Sequence, residues 1–261
     1  MYPKLFEIGP IPVYSYGLML GIAFLIGSTL FSKELKRLRI EENVGIVITF
    51  IAIICGIVGS KIFYIIEEWN FGKGNSLGYY LTADNLFSPA GLTFYGGVVL
   101  SIIVIYFYCR KKKVSIMLIL DAMAPGAAIA YAIARIGCHL SGDGCYGANV
   151  NGTFWEFLGY SYSKGIVATK VGELVHPTPL YELAFGVIVF VILWGLRKKV
   201  KYFGQLFYIY LILTGIPRLL VEFIRLNPKV IFGLTQAQLI SIAMILFGVI
   251  MLIINRNKEK N

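Results

Sequence analysis

Three groups of charged residues sit where long apolar segments end, and they carry the chemistry of this sequence. The stretch 134–147 reads A-R-I-G-C-H-L-S-G-D-G-C-Y-G and holds Arg135, Cys138, His139, Asp143, Cys145 and four glycines. A charged side chain at membrane depth is costly unless it faces protein or water. Irregular glycine-rich backbone is tolerated there only inside protein or against a water-filled cavity. One reading is a buried Arg135–Asp143 ion pair that fixes a re-entrant turn; the other is a polar site facing a cavity. The second group, Arg218, Glu222 and Arg225, has the i, i+4, i+7 spacing that places all three on one helical face. It is either a self-satisfied ladder or, with two arginines to one glutamate, a source of unpaired positive charge. A guanidinium fork suits a phosphate. Together with Arg135 and Lys61 these residues offer three or four cations, and a phosphodiester head group is the natural ligand.

The third group is scattered. Lys61 in G-S-K-I-F-Y is either a snorkelling lysine or a cation facing an internal cavity. Tyr16 precedes Gly17 and Gly21, whose G-x-x-x-G spacing permits close helix approach. Tyr95 in G-L-T-F-Y-G-G is an interfacial aromatic or directs its hydroxyl at a polar head group. Gly96 and Gly97 let another backbone or a ligand come close. Asp121 is expected to pair with the lysines of the preceding basic loop. In H-P-T-P-L-Y-E, from His176 to Glu182, the prolines pre-set a helix start and the helix N-terminus favours the Glu182 carboxylate. His176 reads as a loop residue. G-D-G-C-Y-G matches G-x-G-x-x-G, but no strand precedes it, so a dinucleotide site is excluded. Four cysteines make no disulfide framework. Cys55 and Cys109 read as buried hydrophobes, and Cys138 and Cys145, both on the outer side of the topology expected below, could form a bridge. Two histidines and no paired C-x-x-C predict neither a metal site nor a cofactor.

The elements that must position these residues are membrane helices. Hydrophobic residues make up 57% of the 261 and charged residues 15%, against about a quarter charged in soluble domains; mean hydropathy is +0.75. Apolar runs near 14–32, 44–66, 91–109, 116–136, 179–196, 204–224 and 234–254 predict an all-α integral membrane protein with seven transmembrane helices. The first run lacks a basic lead and a small-residue cleavage site, so it is expected to remain as a span. The net charge of +10 resides largely in Lys33/Lys36/Arg37/Arg39, Arg110–Lys113, Arg197/Lys198/Lys199/Lys201 and Arg256/Lys258/Lys260. These clusters follow the first, third, fifth and seventh runs. The positive-inside rule then places the N-terminus outside and the C-terminus in the cytoplasm. This distribution argues for contact with membrane lipid and against nucleic acid. The connection 138–178 is too long for a structureless loop and is expected to fold outside the membrane, within a single membrane-embedded domain, 1–261. Trp69, Tyr79, Tyr80, Trp155, Tyr160 and Tyr162 suit an interfacial aromatic belt.

Taken together these segments resemble the phosphatidylglycerol–prolipoprotein diacylglyceryl transferase family over nearly the whole chain. The resemblance rests on Y-G-L-M, G-S-K-I-F-Y, F-Y-G-G, the 134–147 stretch, H-P-T-P-L-Y-E, R-L-L-V-E-F-I-R with Pro228, and Q-A-Q-L-I-S-I-A-M. It implies a multi-pass enzyme of the bacterial cytoplasmic (inner) membrane with its active site toward the outer side. The reaction implied moves the diacylglyceryl group of phosphatidylglycerol to the lipobox cysteine thiol of a prolipoprotein signal peptide, forming a thioether. Arg135, Arg218 and Arg225 match family arginines and would hold the phosphate, Glu222 would orient them, and Asp143 and Tyr16 match family site positions.

The chain also departs from the family pattern. Tyr95 stands where the family has histidine, Cys138 where it has asparagine, Lys61 where it has arginine and Thr214 where it has tyrosine. The signature carries one extra residue between Asp143 and Tyr146. His139 lies one helical turn beyond Arg135, and its side-chain type suits proton transfer near neutral pH. It is a candidate general base in place of the missing histidine, or a structural donor. The departures keep two other functions in view: a paralogue that uses a phospholipid donor with a different acceptor, and a non-catalytic anionic-lipid binder or flippase.

Overall fold

A computed structural model describes residues 1–9, 11–71, 79, 82 and 94–258. Among them are seven long helices: α1 (Ser15–Arg37), α2 (Glu42–Phe71), α3 (Phe94–Lys112), α4 (Ile116–Ser141), α5 (Thr178–Leu196), α6 (Gln205–Glu222) and α7 (Gln236–Lys258). Two antiparallel hairpins accompany them, β1 (Lys4–Ile8) with β2 (Ile11–Tyr14) and β3 (Lys229–Ile231) with β4 (Leu234–Thr235). Six helices are long and apolar enough to cross a membrane: α1, Glu42–Ile66 of α2, α4, α5, α6 and Gln236–Arg256 of α7. The described part of α3 begins at residue 94 and ends on Arg110, Lys111 and Lys112. The start of the expected third run, 91–93, lies outside the described residues.

The helix ends follow local sequence. α1 and α3 close with basic last turns, which complement the helix dipole. Each is followed by a residue of positive φ, Arg39 and Lys113. There the amides of Ile40 and Val114 return to the carbonyls of Leu35 and Cys109, a left-handed C-terminal cap. The β3–β4 hairpin turns on Phe232 and Gly233, both with positive φ, as a type I′ turn requires.

The chain divides into two compact units, residues 35–119 and residues 1–34 with 120–261. In the first, α2 and α3 pack backbone to backbone. A Cβ on Gly96 would collide with the Gly59 carbonyl oxygen and with Phe63. The neighbour that Gly96 and Gly97 admit is therefore another helix. Lys61 is 8% exposed and its Nζ lies 5.5 Å from the Tyr64 ring centroid. Protein encloses it, so it is not a lipid-facing snorkelling lysine.

The second unit holds α1, α4, α5, α6 and α7. Ala124, Ala128, Val189, Leu193 and Leu206 form its apolar core. Asp121 does not serve the basic loop. Its carboxylate accepts the amides of Gly204 and Phe207 at 2.7 and 2.8 Å and so caps α6, whose first amides have no intrahelical acceptor. At the far end of α5 from Glu182, Arg197 pairs with Glu34 of α1 at 2.9 Å and lies over the Trp194 ring.

The 134–147 stretch is not a re-entrant turn in its first half. α4 continues to Ser141, so Arg135, Cys138 and His139 occupy its last two turns. Gly142 (φ +60°) ends it, donating its amide to the Cys138 carbonyl at 3.0 Å. The connection from 142 to 177 then folds through bridges of Asn149 and Tyr160 with Val175 and of Gly147 with Arg225. Tyr162 is 1% exposed inside it and so is not a belt residue, whereas Trp155 and Tyr160 are exposed. The Trp69 and Tyr80 side chains lie outside the described residues. Replacing Gly96 by valine should displace α3 from α2. The expected result is a thermal midpoint in detergent well below wild type, measured beside a Gly17→Ala control whose added methyl meets nothing.

Candidate active site

Glu182 is the centre of the site. Pro179 starts α5, and the Thr178 hydroxyl anchors that start to the Cys145 carbonyl. Glu182 then lies one turn into the helix and is 2% exposed. Its Oε1 accepts from the Tyr131 hydroxyl at 2.8 Å and from Arg218 Nη1 at 2.5 Å. Its Oε2 lies 3.2 Å from Arg135 Nε and 3.5 Å from Arg225 Nη1. Three arginines, from α4, α6 and the residues just after α6, thus converge on one buried carboxylate.

Glu222 is the second anion, also 2% exposed. Its Oε2 lies 3.2 Å from Arg218 Nη2 and 3.9 Å from Arg225 Nε. Its Oε1 accepts from Asn227 Nδ2 at 2.6 Å and from Thr235 Oγ1 at 2.9 Å. Thr235 is tied down in turn. Its Oγ1 accepts the Gln238 amide at 3.2 Å, while Gln238 Oε1 accepts the Thr235 amide at 2.9 Å. This reciprocal pair is a capping box at the start of α7, and it connects that helix end to the arginine cluster.

Three guanidiniums against two carboxylates leave one net positive charge. The Arg135 and Arg218 side chains are 18% and 26% exposed, so a ligand can reach them; Arg225 is 8% exposed. Arg135 Nε, Arg225 Nη1, Glu182 Oε2 and Glu222 Oε2 are buried without a hydrogen-bond partner among the described residues. Their ion pairs are close but poorly aligned, and a buried donor without an acceptor costs about 1–3 kcal/mol. A ligand oxygen entering the cluster can satisfy these donors. Arg135 also stacks over Tyr131 at 4.6 Å.

A thiol cluster adjoins Arg135, whose Nη1 lies 3.6 Å from Cys138 Sγ and 4.0 Å from Cys145 Sγ. Both cysteines are free thiols. A hydrogen bond from Cys138 draws the Cys145 thiol below the usual thiol range. Asp143 is not the ion-pair partner of Arg135, because Glu182 has that place. Its Oδ1 accepts the Cys145 amide at 3.1 Å. Gly147 lets the chain pass close by: a Cβ there would stand 2.6 Å from the Ile224 carbonyl oxygen, beside the Gly147–Arg225 bridge.

The residues singled out in the sequence fall into distinct places. Arg135, Arg218, Glu222 and Arg225 come together. Tyr16 packs against the backbone of Gly137, two residues from Arg135, and is half-exposed. His139 turns to the folded connection: its Nδ1 is 2.9 Å from the Tyr162 hydroxyl and its ring packs on Tyr160 and Tyr162. Lys61 belongs to the other compact unit. The Tyr95 side chain lies outside the described residues. His176, read as a loop residue, exchanges backbone hydrogen bonds with Gly147 and Ala148. Sequence reasoning missed Glu182 as the hub, along with Tyr131, Asn227 and Thr235. Its available signal was a carboxylate just inside an apolar span, which needs a partner. Tyr131 is also one turn before Arg135 on the same face of α4.

A family model described as prolipoprotein diacylglyceryl transferase matches residues 3–254. The phosphatidylglycerol–prolipoprotein diacylglyceryl transferase of Leptospira interrogans is 33% identical over 90% of this chain and 86% of its own length. Proteins of the same name are 31% identical in Dehalococcoides mccartyi, over 99% and 95%, and in Clostridium tetani, over the full length of both.

Replacing Glu182 by glutamine should leave three buried or half-buried guanidiniums facing one carboxylate. Breaking a buried pair from one side costs about 3–5 kcal/mol. Thermal unfolding in detergent should therefore drop markedly for Glu182→Gln and stay near wild type for Glu173→Gln at the surface.

Proposed function

The chain belongs to the prolipoprotein diacylglyceryl transferase family, and from that premise we propose how its own residues carry out transfer from phosphatidylglycerol to a prolipoprotein. The observation that carries the proposal is the convergence of Arg135, Arg218 and Arg225 on Glu182 with one positive charge in excess. The phosphate of phosphatidylglycerol binds the two accessible forks, Arg135 and Arg218, and receives the hydrogen bonds that Arg135 Nε and Arg225 Nη1 leave unmade. Glu182 and Glu222 hold the forks in place, so the leaving phosphate meets fixed cations rather than mobile ones. Tyr16 and Asp143 border the head group. Tyr95 occupies the family's histidine position without being a base at neutral pH.

The acceptor is the lipobox cysteine of the signal peptide. Its thiolate attacks the glycerol carbon esterified to phosphate; the S–C bond forms, the C–O bond breaks, and glycerol phosphate leaves with the electron pair. His139 takes the thiol proton. In the tautomer that donates Nδ1–H to Tyr162, Nε2 carries the lone pair, and His139 lies four residues, about 6 Å of helix rise, beyond Arg135. The basic clusters support seven spans, with α3 as a crossing, the N-terminus outside and the C-terminus in the cytoplasm. On this topology residues 1–261 form one membrane-embedded domain of the bacterial cytoplasmic membrane. The 142–177 connection and the site then face outward.

Mass spectrometry of a lipobox peptide incubated with phosphatidylglycerol vesicles and the purified chain tests the reading. A diacylglyceryl mass gain is expected. Loss of phosphatidylglycerol without peptide modification would indicate another acceptor, and intact substrates with head-group movement a flippase. Arg218→Lys keeps the charge but loses the fork, so transfer should fall on the order of 10²-fold. His139→Gln should abolish transfer and retain the wild-type thermal midpoint; undiminished transfer in this variant would end the base assignment.

A further inference from the structure

The last turn of α4 and the turn that follows it bring together two thiols and a carboxylate. Gly142 (φ +60°) and Gly144 (φ +84°) reverse the chain, returning Cys145 to Cys138. Cys138 Sγ, Cys145 Sγ and an Asp143 carboxylate oxygen lie within 4.8 Å of one another. We propose that these three side chains form a site for a thiophilic divalent cation of the Zn²⁺ class, with two thiolate ligands, one carboxylate ligand and water in the fourth position.

Zn²⁺ binds thiolate at about 2.3 Å and carboxylate at about 2.0–2.2 Å in a tetrahedron. Side-chain rotations of about 1 Å therefore close the present spacing onto one ion. The carboxylate is already oriented, because Asp143 Oδ1 accepts the Cys145 amide at 3.1 Å. Both sulfurs already face a cation, the Arg135 guanidinium, at 3.6 and 4.0 Å. Binding releases both thiol protons as two metal–sulfur bonds form. Two thiolates and a carboxylate around one divalent ion leave one negative charge, which offsets the one positive charge in excess in the arginine cluster. Both cysteines are free thiols; a disulfide would need the sulfurs to approach to about 2.05 Å and a two-electron oxidant.

The test uses the full-length chain in detergent under reducing conditions, titrated with Co²⁺ as a spectroscopic probe. A thiolate-to-cobalt charge-transfer band should grow to one ion per chain and disappear on adding Zn²⁺. The Cys55→Ser/Cys109→Ser variant should keep the band, Cys145→Ser should lose it, and Asp143→Asn should weaken Co²⁺ binding at least about tenfold. A wild-type chain whose four cysteines titrate as free thiols yet give no band would overturn the site. So would a band that survives Cys138→Ser/Cys145→Ser, or a thiol count two short that reveals a disulfide. An ion beside Arg135 should also slow lipid transfer. That expectation rests on the proposed function and the absorption band does not, so failure of the one is distinguishable from failure of the other.

Discussion

A carboxylate buried at the start of α5 organises the compact unit formed by residues 1–34 and 120–261. Glu182 is 2% exposed, and removing a lone carboxylate from water is prohibitive. Tyr131, Arg135, Arg218 and Arg225 meet it from three directions. The dependence is mutual, because none of the arginines is tolerable at this depth without an anion. The cluster also over-fills its anion: three cations share two carboxylates, and some donors are buried without an aligned acceptor. A purely structural ion cluster gains from saturating those donors. The phosphate binding proposed for this cluster would use the donors left open.

The rest of the unit serves to hold those charges still. Thr178 and Pro179 set where α5 begins, and hence how deep Glu182 lies. Asp121 caps α6 at its first turn, which helps fix the helix that carries Arg218 and Glu222. The capping box of Thr235 and Gln238 does two tasks with one hydroxyl, since Thr235 Oγ1 also donates to Glu222. Helix termini are where backbone groups lack partners. Here two such termini, those of α6 and α7, are satisfied by residues that also place the site.

Much of this was legible from residue order alone. The apolar runs near 179–196, 204–224 and 234–254 correspond closely to α5, α6 and α7, because length and apolarity are local properties. The i, i+4 spacing put Arg218 and Glu222 on one face of α6; Arg225 lies past the helix end and reaches the same cluster from the Gly147 bridge. The 134–147 stretch misled where glycine was read as irregularity. Gly137 lies within α4, with Tyr16 and Met19 of α1 packed against it, so the helix runs on through Arg135 and His139. Asp121 and Tyr162 misled for the same reason, since the groups that claim them are Gly204 and Phe207 in one case and His139 in the other.

The sequence by itself determined an apolar helical chain, the placement of its basic loops, the family, and the residue types able to bind a phosphodiester. Those follow from composition, period and motif, which need no knowledge of distant neighbours. Only the tertiary structure decided which anion the arginines share. Glu182 lies 47 residues from Arg135 and 36 from Arg218 in the chain, and no local pattern links them. Coulombic pairing in a dry interior depends on separation in space, and the packing of α4, α5 and α6 sets that separation.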